Sequence, residues 1–177
     1  MAKNLDSREE EVLIELLKNA KISDKELAKK LGTSQPTITR IRNKLQQKHF
    51  FSSYTVLPSL SNLGLNLMVF TFLGIVNFKD REKILKWIRE DPRVMFASEG
   101  EGLRQQNICI ISLHPSFEHY EDFLTGMRNA LGNGIGNISN FLIANRNTIK
   151  DFDLDQPIEN FLHITLKKMR AARDKES

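Results

Sequence analysis

Gln35, Thr39, Arg40 and Asn43 carry side chains that can read the edges of nucleic-acid bases. On a helix turning 100° per residue they fall on one side, with Pro36 among them. An arginine guanidinium there can pair with guanine O6 and N7, and the amides and hydroxyl can reach neighbouring base edges. Ser34, Thr37, Arg42, Lys44 and Lys48 sit at the start or on the flanks, where phosphates are the expected partners. Acidic groups are absent from the whole neighbourhood. Between Glu26 and Asp80 there is no Asp or Glu, while seven Lys and Arg fall in that gap. A solvated helix face normally mixes both signs. The chemistry expected of this stretch is therefore recognition of a polyanion, and the shape expected is a helix lying in a DNA major groove.

The surrounding residues must build that helix. Ser34 is placed to cap it, Pro36 suits its first turn, and Ile38, Ile41 and Leu45 give it one apolar face. Before it, Ser23 and Glu26 have the spacing of a capping box, with Ile22 and Leu27 as its hydrophobic staple. Leu27, Ala28 and Leu31 make an apolar stripe, and Gly32 supplies the left-handed residue of a helix end. Further upstream, Asp6 and Glu9 form a second capping box ahead of Val12, Leu13, Leu16 and Leu17. Residues 5–48 thus read as three helices, the last two a helix-turn-helix. Phe50 to Leu57 is aromatic and β-branched, with a turn expected at Ser52-Ser53, and reads as a wing hairpin. The turn-rich residues 58–64 mark a domain boundary.

Charge follows the same division. Residues 1–50 hold eleven basic and seven acidic side chains, whereas residues 51–177 hold fifteen of each. The net charge of +4 therefore belongs to the N-terminal part, and phosphate is the natural partner. There is no apolar run long enough to span a bilayer and no signal-peptide core at the N-terminus, so a cytoplasmic protein is expected. The single cysteine, Cys109, excludes an intramolecular disulfide and is expected in the core. His49, His114, His119 and His163 lack the spacing of metal ligands, and neither metal nor cofactor is expected.

From Leu65 the pattern changes. Strands are expected at 66–76, 93–99, 107–113 and 137–149. Helices are expected at 80–90, with Ile84, Leu85, Trp87 and Ile88 inward, and at 115–131, with Phe117, Tyr120, Phe123, Leu124 and Met127 inward. The glycine-rich residues 132–136 precede a strand rather than a helix, so they read as a connection rather than a phosphate cradle. The order βαββαβ gives an antiparallel four-stranded sheet with both helices on one face. Large apolar residues such as Phe70, Phe72, Ile108 and Ile110 fall on both faces, which predicts a second sheet packed against the open one in a dimer. An acidic linker, Asp151 to Pro157, leads to an amphipathic helix running to about Arg173. The expected fold is α+β. A winged helix-turn-helix domain (1–60) is followed by a ferredoxin-like domain (61–152) and a C-terminal helix (153–177).

This order of parts resembles the Lrp/AsnC, or feast/famine, transcriptional regulators. The matching residues are Leu5-Asp6, Ile22-Ser23, Glu26-Leu27, Leu31-Gly32, Ser34, Arg40, Leu45, Phe50-Phe51, Tyr54-Thr55 and Leu63-Gly64, and the resemblance spans roughly residues 5–150. It implies a homodimer or larger ring that binds double-stranded DNA at a palindromic operator. It also implies an amino acid or similar small molecule as effector, held by the C-terminal domains. The family's G-x-x-D after the second strand of that domain is here Gly102-Leu103-Arg104-Gln105, with a neutral amide at the acid's place. An amide pairs with an ammonium group much less strongly than a carboxylate does. Glu99, Glu101, Arg104 and Gln105 form the polar cluster where an effector is expected. No catalytic residue is assigned. The alternative on the same architecture is an enzyme resembling siroheme decarboxylases, which would need His and Arg near substrate carboxylates in the C-terminal domain; only Arg104 meets that description.

Overall fold

A computed structural model describes residues 5–103 and 105–162. Three helices open the chain: α1 (Ser7–Lys18), α2 (Asp24–Lys30) and α3 (Gln35–Gln47). Both expected capping boxes are formed. Asp6 accepts from the Glu9 amide at 2.8 Å, and Glu9 returns the bond to the Asp6 amide at 3.1 Å. Ser23 and Glu26 do the same for α2. Gly32 has φ +61°, the left-handed conformation in which a side chain would be strained. Val12, Leu13, Leu16, Leu27, Ile38, Ile41 and Leu45 form one buried cluster, with Phe50 and Phe51 packed on it.

The wing hairpin is not formed. Residues 51–58 are not in a strand. The segment is too short for two strands that bury anything between them, and a lone two-stranded hairpin is marginal in water. Phe50 and Phe51 instead continue the helical core, and Tyr54 turns back to Arg42, as described below.

The second compact unit spans Pro58–Ile149. Strands β1 (Leu67–Ile75), β2 (Val94–Leu103), β3 (Gln106–His114) and β4 (Ile135–Ala144) form one antiparallel sheet in the order β2-β3-β1-β4. Helices α4 (Arg81–Glu90) and α5 (Phe117–Leu131) complete the βαββαβ order. Opposite pairs such as Thr71 with Ile110 and Phe70 with Ile111 set the register. Val69, Leu73, Ile108 and Ile110 therefore meet Ile84, Ile88, Phe123 and Met127 in the core. The other sheet face carries Phe70, Phe72, Ile111 and Cys109. Phe96 and Phe141, opposite Ile111 and Phe70, are 52% and 64% exposed there. Cys109 is thus on the open face, not in the core, because it alternates with the buried Ile108 and Ile110. Phe117 is also outward: it is the first residue of α5, ahead of the turns that meet the sheet.

Thr71, Ser112 and His114 are buried polar groups on the helix-covered face. His114 is fully buried, its Nε2 2.8 Å from Ser112 Oγ and its ring against Tyr120 and Phe123. Burial pushes its pKa down to about 4; nearby Arg93 adds to this and Asp91 opposes it. The unfolded chain, with a histidine near 6.5, binds a proton that the native protein refuses. Stability present above pH 6.5 is therefore lost as pH falls towards 4, by up to about 1.4 kcal/mol per unit. Urea midpoints between pH 7 and 4.5 should fall in the wild type and flatten in His114→Asn.

Candidate nucleic-acid interface

Helix α3 owes its direction to three buried residues and one cap. Ser34 Oγ accepts from the Thr37 amide and lies 2.8 Å from Thr37 Oγ1. Ile38, Ile41 and Leu45 are sunk in the core, which turns the opposite side to solvent. Gln35, Pro36, Thr39, Arg40 and Asn43 are all exposed on one open surface, as their spacing predicts. Gln47 extends that surface by one turn; the same 100° arithmetic places it four residues after Asn43.

The flanking cations are arranged differently from the sequence expectation. Arg42 points inward. Its Nε is 2.8 Å from Asp24 Oδ1, one Nη donates to the Ile22 carbonyl at 2.9 Å, and the other donates to Tyr54 Oη at 3.3 Å. Arg42 lies one turn after buried Ile38, so its side chain meets α2 before it meets solvent. Lys44 pairs with the buried Glu9 carboxylate, and Lys48 Nζ is 3.5 Å from the same group. Burial would raise the Glu9 pKa, but the Lys44 hydrogen bond, the Asp6 amide and the two lysine charges outweigh it and hold it below the usual range. Lys44 is correspondingly raised, by its bond to Glu9 first. Thr39 Oγ1 donates to Asp24 Oδ2 at 2.6 Å. Of the three cations within α3, only Arg40 has no acidic partner among the described residues. Arg42 is therefore a structural residue: Arg42→Ala removes the ion pair of Asp24, leaving it only Thr39, and removes the donor to the Ile22 carbonyl, and should lower stability by about 1–3 kcal/mol, read from urea unfolding.

The second candidate cluster is divided by the fold. Glu99 is bound by Arg81 of α4 through two bonds, at 2.7 and 3.0 Å. Glu101 and Gln105 instead border a depression with Gly74, Gly100, Asn107 and Gly136 at the end of the sheet. Gln105 has φ +68°, in the tight turn that joins β2 to β3, where Leu103 pairs with Gln106. A Cβ on Gly74 would lie 2.4 Å from the Gln105 carbonyl oxygen, so the close approach requires glycine. Arg104 lies outside the described residues. Among the described residues no histidine borders this depression, and His114 is sealed beneath α5. Among the described residues no group of His, Cys, Asp or Glu is placed to hold a metal ion, and no helix is long and apolar enough to cross a membrane.

A capped helix pair whose second helix turns outward a polar face with no Asp or Glu of its own defines a DNA-binding protein of the helix-turn-helix class. Residues 5–50 match the winged helix-turn-helix DNA-binding family. The leucine-responsive regulatory protein of Rhizobium meliloti is 32% identical over 122 residues, which cover 66% of this chain and 76% of that one. The same fold is seen in Escherichia coli AsnC, with a TM-score of 0.76 and 20% identity over 86% of this chain and 99% of that one. It is seen again in a transcriptional regulator of Neisseria meningitidis in complex with L-Met, with a TM-score of 0.73 and 18% identity over 83% and 93%. The chain belongs to the Lrp/AsnC family and is a DNA-binding transcriptional regulator.

Proposed function

We propose that this regulator acts in the cytoplasm as a homodimer or larger assembly and has no enzymatic activity. It binds a roughly palindromic operator in double-stranded DNA through α3 of each subunit. Arg40 contacts a guanine, and Gln35, Thr39 and Asn43 contact adjacent bases. Ser34, Thr37 and the reachable edges of Lys44 and Lys48 lie nearer the backbone. The observation that carries this reading is Arg40, without an acidic partner among the described residues, at the centre of an exposed helix face that has no Asp or Glu of its own. A dimer through the open sheet face is supported by the exposed Phe96 and Phe141, since apolar surface of that kind gains from burial. Two-fold symmetry then presents two recognition helices and favours a palindrome.

The depression bordered by Glu101 and Gln105 is the proposed place for a small effector, with Arg104 beside it in sequence and Glu99 held back by Arg81. The L-Met complex of the Neisseria relative supports an amino acid as the class to test. Selection of bound genomic fragments at low salt should enrich an inverted repeat. Absence of any DNA binding by the full chain would overturn the reading. Thermal-shift measurements with the common amino acids test the effector, and a flat response to all of them removes that part alone.

A further inference from the structure

Helix α1 is buried along two separate lines. Val12, Leu13 and Leu16 face the three-helix core. Glu10 and Ile14 lie four residues apart on another side, with the exposed Lys18 one turn further along the same line. Glu10 and Ile14 are less than one-tenth exposed, although Ile14 is not part of the core cluster. A solvent-facing side of a surface helix would be open, so this side is covered.

The C-terminal segment lies there. Residues 155–162 are helical, and their half-buried positions are Asp155, Ile158, Glu159 and Leu162, a single stripe of one helix. Glu159 Oε2 is 2.9 Å from Lys18 Nζ, and Leu162 packs on the core cluster of the DNA-binding unit. In sequence the stripe continues with Leu166 and Met169. The compact unit containing α1 to α3 accordingly comprises Met1–Leu57 and Lys150–Ser177, with Pro58–Ile149 as the other unit. Almost all of AsnC is matched by 86% of this chain, so part of this chain has no counterpart there.

We propose that residues 155–162 are a fourth helix of the DNA-binding domain, seated on the second face of its own chain's α1, and that this helix serves as a strap. A domain joined by one connection can turn about any axis. Joined by two, it keeps fewer of those motions, because each must be accommodated by both connections at once. The return connection, residues 148–154, spans at most about 25 Å. Resting on the dimeric reading above, the strap limits how far each DNA-binding domain can stray from its own sheet domain and so narrows the half-site spacings that the dimer accepts.

Two measurements test this. In the full chain with Cys109→Ser, the pair Lys18→Cys and Glu159→Cys treated with a short bis-maleimide should give a cross-linked single chain. Cross-linked dimers, or no cross-link, would overturn the same-chain strap. Independently, a chain ending at Phe152 should lose about tenfold of its discrimination between the preferred operator and versions with spacing altered by one or two base pairs, a coupling of ordinary size. Unchanged discrimination overturns the restraint. Should the shortened chain not fold, Leu162→Asp in the full chain replaces it. Faster amide exchange over residues 12–18 in either variant reports undocking without DNA, so a failure to bind DNA and a failure of the strap are separable.

Discussion

Phe123→Ala should destabilise the sheet domain by about 3–5 kcal/mol, the loss usual for deleting a buried aromatic ring. Phe123 is fully buried at the centre of α5. Its ring centroid is 5.6 Å from that of Trp87 and 5.3 Å from that of His114, and the Arg93 guanidinium carbon lies 5.0 Å from it. The ring thus links α4, α5 and β3, and a methyl group cannot keep those three in contact. Trp87 is the chain's only tryptophan, so its fluorescence reports this domain alone. The urea midpoint followed at Trp87 should fall sharply. A midpoint within experimental error of the wild type would mean that the sheet core is not packed as described.

Arg40→Ala should weaken binding to the preferred operator by about 1–3 kcal/mol and relax base preference at one position per half-site. Most of that loss should persist in Arg40→Lys, because a point charge cannot reproduce two parallel hydrogen bonds to guanine. The contrast with its neighbours makes the test specific. Lys44 and Lys48 share a buried carboxylate, so Lys44→Gln should change the salt dependence of binding less than a free lysine would. Competition titrations against a single-base operator series would separate these effects. Equal losses on every sequence would show Arg40 to be a phosphate contact instead.

The helix-turn-helix was legible because its signals are local. Caps, staples and a 3.6-residue apolar period act within one or two turns, and Asp6, Ser23, Gly32 and Ser34 all behave as their types require. The sheet was legible as an order of elements. Its edges were not: β2 runs on through Glu99 to Leu103, a polar and glycine-rich stretch that becomes strand because β3 pairs with it. The wing failed for the converse reason, strand-forming residues with no strand to pair with. At the recognition helix, position around the axis predicted exposure but not partners. Whether Arg42 or Lys44 faces solvent depends on Asp24 and Glu9, which arrive from other helices. Cys109 and Phe117 turned on which face of a strand and which turn of a helix met the core, and those are settled only when the sheet and its helices come together.

The pairing of Lys44 and Lys48 with Glu9 bears on how the regulator shares itself along a chromosome. Sequence-independent affinity grows with the number of phosphates neutralised, and every genomic position competes for it. With Glu9 set against both of them, Lys44 and Lys48 offer such positions less positive charge than two free lysines would. On the proposed reading, in which Arg40 and its neighbours contact bases, weaker binding to bulk DNA leaves more of the regulator available to its operator.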